Sequence, residues 1–205
     1  MKPFRTAILS AVVATTALPV FAADYSDPTW PCVARKVESL SLGLMWPHPV
    51  PEADSVTDEA LQSDVADLAD ALGLRRVELE TLRPAVESFA EAYSGDPDAL
   101  GLVFSRVFES LNKRRSRIIS GIGEFSLSQI ALADKIDTAR LEMDTVLQAS
   151  APDFDRADVL EEQLDWDQLI YTDRQRSIQY LCETPQIIER RLFAIAQMLQ
   201  QVAQK

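Results

Sequence analysis

The feature that most constrains this chain is a spacing that alternates four and three residues without a break: Phe104, Phe108, Leu111, Arg115, Ile118, Ile122, Phe125, Gln129, Leu132, Ile136, Ala139, Met143 and Val146. Eleven of these thirteen residues are apolar. A seven-residue repeat of this length lines one seam of an α-helix, and that seam is buried only when another helix lies beside it. A β-strand would scatter the same residues over both faces, because strand side chains alternate every second position.

A second run with the same spacing follows the stretch "SAPDFD" at 150–155: Ala157, Leu160, Leu164, Asp167, Tyr171, Arg174, Ile178, Leu181, Pro185, Ile188, Leu192, Ile195, Leu199 and Val202. Two matched seams around a short turn predict an elongated antiparallel helical hairpin, coiled-coil-like, over 97–149 and 155–204. Unbroken, 97–149 is a rod of roughly 80 Å. Gly121 and Gly123 leave open whether it is kinked there.

Folding the chain about 151–152 makes facing residue numbers sum to about 303, which sets Gln129 near Arg174, Ile136 near Asp167 and Cys182 opposite Gly121. The polar seam residues then gather in the distal half, 125–175, which projects as a bare two-helix arm. A polar residue in such a seam is a known means of fixing register.

Ahead of the hairpin, 55–93 reads as two shorter helices. The first carries Val56, Leu61, Val65, Leu68 and Leu72 at helical spacing, starts at Ser55 or Thr57 and stops at Gly73. The second, from about Glu78 to Tyr93, carries Leu79, Leu82, Val86 and Phe89, with Pro84 tolerable if it sits near the first turn and otherwise bending the rod. Asp96 and Pro97 are suited to cap and open the next helix. The expected fold is therefore all-α, a single domain over 23–205, with both short helices packed on the proximal half of the hairpin.

Residues 1–22 have the pattern of a signal peptide: Lys2 and Arg5, an apolar run over 7–20, and small residues around Val20-Phe21-Ala22. An exported, periplasmic protein is expected, with secretion as the alternative. Removing Lys2 and Arg5 takes the balance from 20 basic and 32 acidic residues, net −12, to 18 and 32, net −14. Such acidity disfavours nucleic acid as a partner.

The next segment, 23–54, is crowded with prolines, Trp30, Cys32, Trp46 and the sole histidine, His48, and reads as an extended strap. In an oxidising compartment Cys32 and Cys182 form an even pair without CxxC spacing, so a structural disulfide is expected. It would hold Trp30, Pro31, Cys32 and Trp46 around the middle of the hairpin, where the small residues of "ISGIGEF" let a second backbone approach.

Two groups are candidate sites. Lys113, Arg114, Arg115 and Arg117 fall close to Arg190 and Arg191 in the hairpin register, so six cations gather either as an anion or acidic-partner site or, the favoured alternative, as surface ion pairs with Glu109, Glu189 and carboxylates of the first helices. Trp166, Tyr171, Asp165, Asp167 and Arg174 on the arm have the aromatic and charged make-up of a partner-binding patch, or else simply cover the partner helix.

No Gly-rich phosphate loop, nucleophile elbow or metal-ligand cluster is recognisable, and a lone His48 between prolines has no acid or nucleophile beside it. No catalytic residue, metal or cofactor is expected. The combination "DPTWPC", "LSLGLMWP", "RIISGIGEF", "LDW" and "YLCETP" resembles a group of uncharacterised exported proteobacterial helical proteins. That resemblance implies a periplasmic setting and carries no activity. The sequence thus points to a non-enzymatic adaptor that docks its arm onto an envelope protein complex. Open alternatives are a ligand-binding bundle, for an anion at the Arg cluster or a hydrophobic molecule under the tryptophan strap, and a homodimer through the arms.

Overall fold

The computed structural model describes residues 27–203, so the leader reading over 1–22 lies outside the described residues. Four helices follow the strap: α1 Glu59–Gly73, α2 Leu79–Ala92, α3 Pro97–Gln148 and α4 Phe154–Val202, with single 3-10 turns at Leu42–Leu44 and Ala53–Ser55.

Three of the four α-helices start at an aspartate cap. Asp58 accepts hydrogen bonds from the backbone N–H groups of Ala60 and Leu61, so α1 begins later than Ser55 or Thr57 would place it. The Ser55 hydroxyl instead donates to the Glu52 carbonyl at 2.6 Å. Asp96 caps α3 with Pro97 in its first turn, as its sequence suggests. Asp153 accepts from the Arg156 N–H, so α4 starts at Phe154. Between α2 and α3 the chain reverses through Ser94 and Gly95, at φ 55° and 62°. Gly95 takes up that left-handed conformation without a Cβ penalty.

The two long helices form the antiparallel hairpin. All thirteen seam residues of α3 are buried or half-buried, and of the fourteen on α4 only Arg174 is exposed. Cross-helix contacts fix the register: Arg115 meets Glu189, Lys135 meets Asp167 and Gln129 meets Tyr171. Gln129 thus reaches one turn short of Arg174. α3 continues unbroken through Gly121 and Gly123.

Only the proximal half is thickened. There α1 and α2 bury Leu68, Leu72, Val86 and Phe89 against Phe104, Leu111, Ile188 and Leu192 in one core. The distal half has a separate, smaller cluster, Ile136, Ala139, Leu160 and Leu164, supplied by α3 and α4 alone.

The strap runs antiparallel along α3. Ser126 donates to the Pro28 carbonyl at 2.6 Å. Trp30 and Cys32 then cluster with Ile119 and Ile122. Further along, Arg115 donates to the Val37 carbonyl at 2.6 Å. Cys32 and Cys182 are disulfide-bonded, with Cα atoms 5.5 Å apart.

Two expectations for the strap need correction. Trp46 does not wrap the hairpin's middle; it is 2 % exposed in the proximal core, stacked on Phe104 at 5.6 Å. Its place is set by Gly101, where a Cβ would lie only 3.1 Å from Trp46 Nε1. Gly121 does not receive the strap either, since nothing lies within 4 Å of where its Cβ would be. The strap passes instead at Gly123, where an added Cβ would touch the Thr29 carbonyl oxygen at 3.4 Å.

Candidate functional site

The cation group divides once its hydrogen bonds are traced. Arg115 is 1 % exposed and is held from both sides: Nε lies 2.8 Å from Glu189 Oε1, while Nη2 and Nη1 donate to the Val37 and Glu38 carbonyls. A planar fork with five donors suits that three-way joint, and a lysine ammonium would not. Arg191 points elsewhere, donating to the Leu72 and Val77 carbonyls at 3.0 Å each, where it closes the connection between α1 and α2. Burial lowers its pKa, and the nearby Glu78 carboxylate partly opposes that shift. Lys113, Arg114, Arg117 and Arg190 are exposed. Two of the six cations therefore bind backbone carbonyls in separate places.

The arm group also divides. Asp167 is in the seam, its Oδ1 3.1 Å and Oδ2 2.9 Å from Lys135 Nζ. Tyr171 is half-buried there; its carbonyl accepts from Gln129 Nε2 and its hydroxyl from Gln175 Nε2. These residues join the arm's two helices. Trp166 and Asp165 lie instead on the outer side of α4, with Trp166 60 % exposed, and Arg174 is exposed.

Around Trp166 is an apolar patch that the sequence reading missed. Leu169 and Ile170 are exposed beside it, Val159 lies one heptad before it, and Tyr180, also exposed, lies two heptads after it. A groove of about 470 Å³ runs along this face, lined by Asp158, Glu161, Glu162, Asp165, Trp166 and Leu169. The signal was present as a second seven-residue register on α4, Val159, Trp166 and Tyr180 with Asp173 between the last two, out of phase with the seam.

The tryptophan strap offers less room. Trp46 is packed directly on α3 at Gly101, and His48 is exposed against the edge of its ring, 5.7 Å between centroids. Beside it a cleft of about 850 Å³ opens between Val50 and Val56 of the strap, Leu61 of α1, and Leu102 and Arg106 of α3. Among the described residues no three His, Cys, Asp or Glu side chains converge as metal ligands would, and no helix is long and apolar enough to cross a membrane.

No protein family, curated protein or solved structure matches the chain.

Proposed function

We propose that this chain is an exported, non-enzymatic interaction protein that docks its helical arm onto a protein complex of the bacterial envelope. One observation carries the reading: an exposed Trp166, with Leu169 and Ile170, on a two-helix arm that the chain's own short helices leave uncovered. Solvent-facing aromatic and apolar side chains gathered on one face are a mark of contact surfaces. The cysteine pair at disulfide distance is compatible with an oxidising compartment.

The test is covalent crosslinking with mass spectrometry on the protein in intact cells. Links from 125–175 to one recurring envelope protein are expected. Links confined to the chain itself, in repeated experiments with crosslinkers of several lengths, would overturn the reading.

The second reading, a ligand-binding bundle, is favoured by the cleft between the strap, α1 and α3. A ligand seated there would raise the melting temperature with concentration. An anion held by Arg115 and Arg191 together is disfavoured, since each is committed to different carbonyls.

A further inference from the structure

We infer that the outer face of α4 around Trp166 receives a basic amphipathic helix of the partner protein. The inference rests on the docking reading above and adds the chemistry of what docks.

Charge comes first. Residues 125–175 hold 12 acidic and four basic residues, a net charge of −8. Three of those four basic residues are already engaged, Lys135 by Asp167, Arg140 by Asp137 and Arg156 by Glu142. Asp158, Glu161, Glu162 and Asp165, which line the groove beside Trp166 and Leu169, have no cation within ion-pair distance among the described residues. A Lys- or Arg-bearing segment would meet four unneutralised carboxylates there. Electrostatic complementarity of this kind steers encounter and rejects like-charged partners.

Shape gives the rest. Val159, Trp166 and Tyr180 fall on one seven-residue register along the exposed side of α4, interrupted only by Asp173, with Leu169 and Ile170 beside Trp166. A stripe with that period matches another α-helix laid alongside, its own apolar residues filling the gaps between these. The same carboxylates disfavour a second copy on this face, since two arms of net −8 would be brought together. They also disfavour an anionic bilayer.

The test uses the disulfide-bonded protein and a synthetic helix of two heptads with leucine on one side and lysine on the other. Trp30 and Trp46 are buried, so a blue shift in tryptophan emission on titration reports Trp166. The expected result is saturable binding that weakens about tenfold or more in Trp166→Ala. Binding should weaken again in Glu162→Gln/Asp165→Asn and in about 0.5 M salt. Trp166 is exposed, so its removal leaves the fold intact, and circular dichroism of the variant checks this. Equal affinity for Trp166→Ala, equal binding of a lysine peptide without leucine, or the same emission shift with anionic phospholipid vesicles would overturn the inference.

A photo-crosslinking residue placed at Leu169 in cells separates the two readings. An adduct mapped to a basic helical segment of another protein supports both. An adduct on an acidic or uncharged segment overturns this inference and leaves the docking reading standing. No adduct at Leu169 or elsewhere on the arm overturns both.

Discussion

Arg115 on α3 and Glu189 on α4 meet at 2.7 Å, and the nitrogen that makes this contact also donates to the Val37 carbonyl of the strap at 2.6 Å. One buried guanidinium therefore joins three segments far apart in sequence. Arg115→Ala should destabilise the protein by about 3–5 kcal/mol, since it strands a half-buried carboxylate and two strap carbonyls. Arg115→Lys should recover less than half of that loss, because an ammonium cannot serve the three acceptors in their fixed directions. Urea denaturation of the oxidised protein checks both.

Removing the disulfide with Cys32→Ser/Cys182→Ser opens a loop of 150 residues. The chain-entropy account puts the loss near its upper range, about 5 kcal/mol, and native disulfides in general are worth about 2–5. The strap should also lift from the middle of α3, exposing Trp30. Greater acrylamide quenching of tryptophan emission, together with a lower urea midpoint, is the expected outcome.

Two glycines of α3 should respond in opposite ways to alanine. At Gly121 nothing crowds a Cβ, and Gly121→Ala should stabilise by about 0.5–1 kcal/mol through helix propensity alone. At Gly101 the new methyl meets the buried Trp46 ring at 3.1 Å, so the propensity gain is offset by overpacking of about 1–3 kcal/mol. Gly101→Ala should therefore lower the melting temperature while Gly121→Ala raises it.

Inside the arm, Lys135→Met leaves the nearly buried Asp167 carboxylate without its cation. The expected cost is about 1–3 kcal/mol, moderated by the half-exposed ammonium. Replacing the pair together, Lys135→Met with Asp167→Leu, should be neutral or stabilising, because an apolar seam needs no desolvated charge. Hydrogen exchange localised to 125–175 measures the effect where it arises.

Tyr93 donates to Asp64 Oδ2 at 2.7 Å, a bond from the last turn of α2 to α1. That bond to a carboxylate, with some desolvation, raises the phenol from its ordinary 10.0 to about 12. Only the neutral phenol donates, so its contribution to stability is complete below about 10 and is lost as pH rises through about 12. In an alkaline absorbance titration, Tyr93→Phe should delete the latest tyrosine transition and Asp64→Asn should move it down.

Much of the hairpin was legible because one physical rule governs it. Residues that recur every seven positions must face a partner, and the short turn at 149–153 decides which partner, so the spacing alone puts Arg115 and Asp167 in the seam. The strap was less legible because its position is set by missing side chains. Gly101 lies tightly under it, Gly123 only touches it and Gly121 faces open space, and composition does not distinguish them. A second stripe beside the seam, Ile119 and Ser126 flanking Ile122, marks the strap's path but reads from sequence as incidental. The patch around Trp166 is half legible: the aromatic stands out, while the seam residues Asp167 and Tyr171 share its stretch of sequence and not its face.

The bond between Cys32 and Cys182 makes the chain a covalent ring from the strap to the middle of α4, with the arm's exposed tip inside that ring. A protease that cuts at Ser150 or Ala151 nicks the molecule without dividing it, and its two halves stay tethered until the bond is reduced. Cleavage alone would therefore leave α3 and α4 covalently joined. Covalent separation of α3 from α4 would take two separate chemical events, hydrolysis and then reduction.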